Sequence, residues 1–556
     1  MKKLLLSLFL AVGSSLAIAQ NVNVQQASGT YTANGIPRRN GTANLVKDSA
    51  VTISDVSANN VTVSSTTGND LTTTAPAGHV HFAPKFVGQL KLTYTGTPQV
   101  PIFLPQIMNP IVLPAAAVVG QATYTGTPGI AIDNFTYTEG RATSGNVLTT
   151  LSFDDLQYVA ETFQPVGLSS LTTLSCPELL YVGGNFNPAQ MPAITSLTMP
   201  KLIYAGGVGC NSLEVLTSLS FPALTSVGLN FAPGFDPLLT TLSTPVLVSV
   251  GGAFNPGALA SLTTISCPNL ISIGGNYAVL NNPALTTLSV PNLAVIGGNF
   301  SVSQNAALTT LSCPALVTTG MAALSTNAVN FAPGTMNALT TWNFPVLTTI
   351  GGSFAPGTMS SLTSLTMPAL VTVGANLSLA TAGGNTGGNF APTTMASLTT
   401  LTAANMTTIN GNFAPTTMAA LTTLSFNALT TITGNVAPTT MASCTTVSFS
   451  GMVNYGGTIT IPSASMANVA SVTLGTNGTL KSIAGATITL SGLKIPSAGV
   501  NAILSLLVSL DGTGGTTLWG AGKTLLINGG TNGAPTGAGI TDKATLVGRG
   551  ATVTTN

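Results

Sequence analysis

A repeat of 23 residues runs from about Leu148 to Gly457 and constrains the fold more than any other feature of the chain. Two consecutive copies read LTTISCPNLISIGGNYAVLNNPA (Leu262–Ala284) and LTTLSVPNLAVIGGNFSVSQNAA (Leu285–Ala307). Self-similarity at a period in the twenties is the signature of a solenoid, in which each repeat forms one rung that stacks on the next. The sequence therefore predicts a mainly β, leucine-rich-repeat-type β-solenoid of about 13 rungs with a parallel sheet.

The proline of each copy fixes the register, and we count positions within a rung from it as position 0. That position is filled by Asp154, Pro177, Pro200, Pro222, Pro245, Pro268, Pro291, Pro314, Pro345, Pro368, Ala404, Asn427 and Ser450. Two of the steps between them are longer than the rest and locate insertions near Gly320–Ala328 and Asn376–Gly388. Insertions confined to one part of the period predict loops on one side of the stack, often the side that binds.

Large apolar residues recur at positions −6, −3, +2 and +5, as in Leu262, Ile265, Leu270 and Ile273. A lone rung cannot offset its backbone entropy with so few buried side chains, so stacking is required. Gly-Gly at +6 and +7 predicts positive φ and a sharp corner. The aromatic residue that follows in many rungs is predicted to pack in the core and not to contact a ligand.

The LTTLSxP segment is predicted to be the strand of each rung, with positions −3 and −1 pointing inward. Positions −4 and −2 then point outward. The binding residues predicted on this face are Thr173, Ser175, Ser196, Thr198, Thr241, Ser243, Thr264, Ser266, Thr287, Ser289, Thr310, Ser312, Thr341, Ser364 and Thr366. Rows of threonine and serine also favour strand geometry, so a purely structural role for them stays an open alternative.

The order L-x-x-L-x-x-P-x-L-x-x-I-G-x-x-F resembles the BspA-like leucine-rich repeat of bacterial surface proteins, over about 310 of the 556 residues. The resemblance implies a secreted or cell-surface protein, in some members an adhesin for host or partner macromolecules. This chain departs from the family where a cysteine usually follows the Phe, and it carries less charge. Its final stretch, Gly529–Asn556, is similar to the tails of some phage and environmental bacterial surface proteins.

Charge is scarce, because Asp, Glu, Lys and Arg make up 5% of the chain and the net charge is +1. An ordinary globular protein is about 25% charged. Nucleic-acid binding requires neutralisation of phosphates, so the composition excludes that class of partner. A nearly neutral surface also favours self-association. The expected partners are an extracellular glycan, another protein, or further copies of the chain.

The first residues predict export. Met1-Lys2-Lys3 is followed by a short apolar run that ends in Ala17-Ile18-Ala19. This pattern is typical of a secretory signal peptide, here residues 1–19, with cleavage before Gln20. A short membrane anchor is the alternative, although the run is too short to span a bilayer comfortably. We expect a secreted or cell-surface protein without a transmembrane helix in the mature chain.

Two regions flank the predicted solenoid of residues 148–457. Residues 20–147 are rich in Thr, Val, Asn, Gly and Pro and predict a β-rich N-terminal module or stalk. Residues 458–556 predict a small α+β cap or attachment region, with a helix at Val500–Leu510, a shorter one at Asp542–Val547 and a terminal strand. Caps of this kind cover the open edges of a repeat array.

Candidate chemistry is sparse. The two histidines, His79 and His81, share one face of a predicted strand and form a weak candidate metal pair without a third ligand at motif spacing. Cys176, Cys267 and Cys313 lie in one inward column but too many rungs apart for disulfides, Cys444 takes a core leucine position and Cys210 lies in a turn; all five are interpreted as buried thiols. The predicted strand face carries no paired carboxylates of the kind that cleave polysaccharides. We therefore predict no enzymatic activity and no cofactor.

Three functions remain from the sequence. We favour a non-enzymatic protein that binds an extended glycan or protein through the threonine and serine face and the inserted loops, because many weak contacts along an array gain strength together. A phage tail-fibre or other fibre-forming protein is the first alternative, and the signal peptide argues against it. An ice-binding protein is the minor alternative, suggested by the uncharged lattice of hydroxyl groups.

Overall fold

The computed structural model describes residues 149–556 apart from 154–155, 160, 321–329 and 376–387, together with the backbone of twelve strands between Arg38 and Thr138. The predicted signal peptide lies outside the described residues, as do both predicted insertions except Gly320 and Gly388. The remaining chain is mainly β and forms a parallel solenoid of about 13 turns with a period near 23 residues. The predicted fold class is confirmed.

The LTTLS segments form short parallel strands along one side of the solenoid, and we call this set of strands the hydroxyl sheet. Each of its short strands covers positions −4 to −2 and lies beside the equivalent strand of a neighbouring rung. Its strands are β13 (Thr150–Phe153), β16 (Thr173–Ser175), β18 (Ser196–Thr198), β20 (Ser218–Ser220), β22 (Thr241–Ser243), β24 (Thr264–Ser266), β27 (Thr287–Ser289), β30 (Thr310–Ser312), β32 (Thr341–Asn343), β34 (Ser364–Thr366), β36 (Thr400–Thr402), β38 (Thr423–Ser425), β40 (Thr446–Ser448) and β43 (Ser471–Thr473).

A second parallel sheet contains positions +4 and +5 and is continuous from rung to rung. Valine or isoleucine at +5 points into the core, while a tyrosine, serine or threonine at +4 faces outward. Its strands are β14 (Leu156–Val159), β17 (Tyr181–Phe186), β19 (Tyr204–Val208), β21 (Ser226–Val227), β23 (Ser249–Val250), β25 (Ser272–Ile273), β28 (Val295–Ile296), β31 (Thr318–Thr319), β33 (Thr349–Ile350), β35 (Thr372–Val373), β37 (Thr408–Ile409), β39 (Thr431–Ile432), β41 (Asn454–Tyr455) and β44 (Ser482–Ile483).

Twelve strands lie N-terminal to these sheets, and the last of them continue the stack, because β9 pairs in parallel with β11, β11 with β14 and β10 with β13. They are β1 (Arg38–Arg39), β2 (Thr42–Ala43), β3 (Leu45–Asp48), β4 (Val51–Ser54), β5 (Asn60–Ser65), β6 (Leu71–Ala75), β7 (His79–Phe82), β8 (Leu90–Tyr94), β9 (Ile102–Leu104), β10 (Gln121–Tyr124), β11 (Ile130–Ile132) and β12 (Phe135–Thr138).

The C-terminal part continues the strand stacking beyond Gly457 and adds three helices, α1 (Ser463–Met466), α2 (Ser497–Val508) and α3 (Ala538–Gly548). The two longer helices lie where the sequence predicts helices. The other strands of the chain are β15 (Phe163–Val166), β26 (Tyr277–Leu280), β29 (Phe300–Ser303), β42 (Ile459–Thr460), β45 (Thr487–Thr489), β46 (Thr524–Ile527) and β47 (Thr552–Thr555). No helix among the described residues is long and apolar enough to cross a bilayer.

The core is a single apolar column enclosed by each turn of the chain. Leucines at −6, −3 and +2 project into it, and aromatic side chains at +9 close its far side. These rings stack from rung to rung, with centroids 5.3 Å apart between Phe231 and Phe254 and 5.6 Å apart between Phe254 and Tyr277. All three are fully buried, which confirms that the aromatic column packs in the core. Stacked and edge-on aromatic pairs add stability beyond the area they bury.

The Gly-Gly pairs serve a different purpose from the one predicted. A Cβ atom on Gly274 or Gly297 would be pressed against the carbonyl oxygen of the glycine one rung earlier, whereas neither residue has positive φ. Close approach of successive rungs therefore excludes any side chain here. Positive φ at this position occurs at Gly320 and Gly374, with φ of 75° and 83°, where the chain leaves the rung for an insertion.

The corner before each hydroxyl strand has two backbone forms. In the rungs of Pro200 to Pro314, which we call the first half, position −10 is a non-glycine residue in the left-handed region. These residues are Gln190, Ser212, Phe235, Ala258, Asn281 and Gln304, with φ between 53° and 59°. In the second half, the rungs of Pro345 to Ser450, threonine at −10 has no positive φ. A buried methionine follows it at −9: Met336, Met359, Met395, Met418 and Met441.

Candidate functional site: the hydroxyl sheet

The outer face of the hydroxyl sheet carries the predicted binding residues. The strands alternate as predicted, for example exposed Thr264, buried Ile265 and exposed Ser266 in β24. Equivalent residues stand in register, because Thr264, Thr287 and Thr310 are direct partners in neighbouring strands. None of the predicted binding residues is buried. The structure thus presents them together on one face of the solenoid.

The hydroxyl sheet is interrupted after every third strand, which the sequence analysis does not predict. Its pairings form five blocks of three strands: β10-β13-β16, β18-β20-β22, β24-β27-β30, β32-β34-β36 and β38-β40-β43. Among these described strands, no backbone pairing joins β16 to β18, β22 to β24, β30 to β32 or β36 to β38. The second sheet has no such interruption, so the solenoid stays continuous while one of its faces is divided.

The threonine at position −5 follows the same block pattern. Within a block its hydroxyl donates to the backbone carbonyl of the equivalent residue one rung earlier, as from Thr286 to Thr263 at 3.1 Å and from Thr309 to Thr286 at 3.2 Å. The same bond joins Thr363 to Thr340 at 3.0 Å. None of the described hydrogen bonds of this type spans a break between blocks. Position −5 therefore has a structural role that ties together the strands of one block.

Two of the breaks open as surface clefts. One lies between β16 and β18 and has a volume of about 290 Å³, with Thr173, Leu174 and Ser196 in its wall. The other lies between β36 and β38 and has a volume of about 380 Å³, with Leu401 and Thr423 in its wall. All the described residues that line the two clefts are uncharged. Each cleft combines hydroxyl groups, backbone edges and an apolar wall.

Exposure of the hydroxyl groups also depends on the place of a strand in its block. At position −4, the central strands carry half-buried residues, such as Ser218, Thr287 and Ser364. The corresponding residues of the outer strands, such as Thr173 and Thr310, are exposed. The hydroxyl groups that are most available to a partner therefore stand beside the breaks.

Charged groups are few near this pattern. Lys201 and Glu178 form an ion pair at 2.7 Å on exposed side chains at position +1, directly after Pro200 and Pro177 of the cleft between β16 and β18. Burial raises the pKa of Asp236 from its usual 3.8 to about 7, although a hydrogen bond from the Leu213 backbone N–H lowers it. Asp236 lies in the core, where its Oδ2 atom has no hydrogen-bond partner. It is not available to a surface ligand.

The cysteines are all free and buried. Burial raises the pKa of Cys267 to about 11 and of Cys313 to about 12, which keeps both as thiols at neutral pH. The interpretation of these residues as small core hydrophobes is confirmed. The predicted metal pair, His79 and His81, lies in β7, and its side chains lie outside the described residues. In the described part of the chain, no three His, Cys, Asp or Glu residues are grouped to hold a metal ion.

A tyrosine column on the second sheet was not predicted from the sequence. Tyr158, Tyr181 and Tyr204 occupy its outward position in consecutive rungs, with stacked rings whose centroids lie 4.6 Å and 4.8 Å apart. Burial, together with the neighbouring tyrosines, raises the pKa of Tyr181 to about 12. Recurrence of Tyr at +4 was the available signal, but the column ends after three rungs because serine occupies the next rung at Ser226.

Comparisons with models of protein families, with curated proteins and with solved structures find no match to this chain. The fold and its repeated face define the chain as a solenoid repeat protein.

Proposed function

We propose that this chain is a secreted or cell-surface, non-enzymatic protein that binds an extended, uncharged partner through the hydroxyl sheet. The supporting observation is the row of aligned, unburied hydroxyl groups along the solenoid, exemplified by Thr264, Thr287 and Thr310. Each hydroxyl contact is weak, but one long partner can contact many rungs at once. The affinity for the whole partner then exceeds that of any single contact, because the first contact raises the effective concentration for the next.

The nature of the surface favours a neutral partner. Only 5% of the chain is charged, so a charged ligand gains little attraction and loses its hydration on binding. A glycan offers hydroxyl groups that both donate and accept hydrogen bonds, as the threonine and serine side chains do. The resemblance to BspA-like surface proteins supports the same class of function. Secretion through the predicted signal peptide of residues 1–19 belongs to this proposal.

The interruptions of the hydroxyl sheet count against ice binding as its role. That function requires a regular, flat lattice of hydroxyl groups, whereas here the lattice is broken after each third strand. The binding proposal tolerates breaks, because a chain-like partner bridges them.

A glycan and protein array probed with the secreted full chain tests this proposal. The test variant carries lysine at Thr173, Thr264, Thr287 and Thr310, which places bulky charge on outer and central strands alike. We expect the variant to lose at least about tenfold in affinity for the bound glycan or protein, since contacts along the array act together.

The matched control carries lysine on the other sheet, at Ser226, Ser249, Thr372 and Thr431, which are half-buried outward positions at +4. It should bind like the unmodified chain. Equal binding by the test variant, with unchanged circular dichroism, contradicts a role for the hydroxyl sheet.

A further inference from the structure

The breaks in the hydroxyl sheet uncover part of the core. Position −3 is at most 1% exposed in the first two strands of the blocks, as at Leu197 and Leu219, for all of these strands except β10, whose side chains lie outside the described residues. In the third strand the same position is more accessible: Leu174 is 5% and Leu311 is 7% exposed. Leu242 and Leu401 are only partly buried. At each break, therefore, the leucine at position −3 of the preceding strand forms an apolar wall.

The residue at −1 follows the same period of three rungs. The third strands before the breaks are followed by small residues at this position, namely Cys176, Thr244, Cys313 and Ala403. The other strands of the solenoid mostly have Phe, Met or Val there, such as Phe221 and Phe344, and the small Cys267 after β24 is an exception. Two independent features, strand pairing and side-chain size, therefore recur together. The breaks are a regular property of the array and not an isolated irregularity.

The width of the breaks restricts what can enter them. A peptide strand that pairs with both edges would need the flanking strands about 9.6 Å apart, which is twice the ordinary spacing. At three of the breaks, Cα atoms on the two flanking strands approach within 8 Å: β16 with β18, β22 with β24, and β30 with β32. Insertion of a strand is therefore excluded at these breaks, although smaller hydroxyl or ring groups can reach the edges.

The chemistry of the clefts matches a neutral sugar. A pyranose ring has an apolar face of C–H groups and an equatorial edge of hydroxyl groups. In the cleft between β36 and β38, the partly buried Leu401 can contact the apolar face while Thr400 and Thr423 exchange hydrogen bonds with the edge. No charged side chain lines this cleft, which disfavours acidic sugars and peptides with charged groups.

We propose that the breaks are glycosyl subsites for one extended, uncharged polysaccharide that runs along the solenoid axis, across the strands. This inference rests on the function proposed above and specifies both the ligand class and the positions of contact. Successive subsites lie three strands apart, or about 14 Å. Between them the chain passes over central strands whose position −4 residues, Ser218 and Thr287, are half-buried.

Binding of cello-oligosaccharides of two to eight rings to the full chain, measured by isothermal titration calorimetry, tests the subsites. We expect weak binding of the shortest oligosaccharides and a gain of at least about tenfold once a ligand is long enough to occupy two breaks. Equal affinity per molecule at every length contradicts the proposal, and so does the absence of binding by all the oligosaccharides.

Two sets of variants locate the contacts. The break set replaces Thr173, Thr241 and Thr310, all on outer strands, with lysine; the central set replaces Ser218, Thr287 and Ser364. We expect the break set to weaken octasaccharide binding by about tenfold and the central set by less than about twofold. Thermal unfolding followed by circular dichroism controls for folding. If a lysine variant fails to fold, alanine at the same positions replaces lysine, and the break set should again lose more affinity than the central set.

The pattern of losses separates this inference from the proposed function. Equal weakening by both sets shows that the whole face binds, which overturns the subsites and leaves the proposed function intact. No weakening by either set overturns both. Weakening by the break set alone supports the subsites.

Discussion

The two halves of the solenoid satisfy the same buried N–H group, at position −9, in different ways. In the second half this N–H donates to the threonine carbonyl of the next rung, as from Met395 to Thr417 at 2.8 Å. In three rungs of the first half a side chain of the next rung accepts it: Leu213 donates to Asp236, Leu259 to Asn282 and Asn282 to Asn305. The left-handed residue at −10 separates the two forms.

The comparison teaches how backbone conformation sets the core composition. Where threonine at −10 has no positive φ, the N–H at −9 donates to a backbone carbonyl, and a buried methionine occupies position −9. Where residue −10 is left-handed, its own N–H turns to the neighbouring rung, as from Ala258 to Leu280 at 3.1 Å. In the rungs of Pro245, Pro291 and Pro314 a buried polar side chain at −9 accepts the N–H of the preceding rung, and an unpaired buried N–H would cost about 1–3 kcal/mol. The rungs of Pro200, Pro222 and Pro268 have the apolar residues Met191, Leu213 and Leu259 at that position.

The strongest test of this contrast moves a first-half residue into the second half. Met418→Asn should reduce the free energy of unfolding by about 4 kcal/mol, because it removes a buried methionine and buries an amide. An amide at this position would accept from the N–H of Met395 in the preceding rung, as Asn282 accepts from Leu259, but that N–H already donates to the Thr417 carbonyl at 2.8 Å. Urea unfolding measures the loss, and Met418→Leu, expected below about 1.5 kcal/mol, is the control. A loss of equal size in both variants would break the comparison.

Asp236 provides a pH-dependent test. Its pKa rises from 3.8 in the unfolded chain to about 7 in the fold, so the folded state holds a proton that the unfolded state has lost. Stability contributed by this group is therefore greatest near pH 4, falls as the pH rises to about 7, and is level above that.

Asp236→Asn should remove this slope and raise the free energy of unfolding by about 2–4 kcal/mol above pH 7, with a smaller gain toward pH 4. The equivalent Asn305 donates from Nδ2 to the Val279 carbonyl at 2.9 Å, which a carboxylate cannot do. Urea midpoints between pH 4 and 9 measure the effect. The same gain at every pH would show that Asp236 does not titrate in this range.

Removal of one acceptor in the first half has a moderate effect. Asn282→Leu should reduce the free energy of unfolding by about 2 kcal/mol, because the N–H of Leu259, which donates to Asn282 at 3.0 Å, loses its partner. Met359→Leu is the matched change in the second half. Denaturant unfolding distinguishes them, and a smaller loss for Asn282→Leu than for Met359→Leu would contradict the role of the polar column.

The smallest effect comes from the corner itself. Ala258→Gly should raise the free energy of unfolding by about 1 kcal/mol, since an alanine with φ of 56° is strained and glycine is not. Thr417→Gly, at the same position in the second half, should lower it by about the same amount. Thermal shifts of opposite sign check the pair, and stabilisation by both changes would refute the difference in backbone strain.

Much of the architecture follows from the columns of the repeat. The rung number, the inward leucines and the outward threonines at −4 are all readable, because a 23-residue period repeats one environment at one position. Gly274 shows where such reasoning stops: the residue type predicts an unusual φ, but close approach of the previous rung is the actual requirement. A recurring glycine can have either of two physical causes, and only the neighbouring backbone distinguishes them.

The candidate site likewise combines features that the sequence predicted with one that it did not. The threonine and serine face was predicted residue by residue, whereas its division into blocks was not. The small residues Cys176, Thr244, Cys313 and Ala403 recur every three rungs, as the breaks do. Their residue types alone do not indicate that strand pairing stops there. Pairing depends on the offset between rungs, which is a property of two segments and not of one.

The sequence by itself determined that equal rungs stack, which side chains enter the core and which face carries hydroxyl groups, because alternation within a strand and repetition between rungs are local properties. The tertiary structure alone decided which strands pair, where the core is uncovered at Leu242 and Leu401, and whether a backbone or a side chain satisfies the N–H at −9. The physical reason is that these hydrogen bonds join residues a full rung apart, so their geometry depends on how one rung is placed against the next.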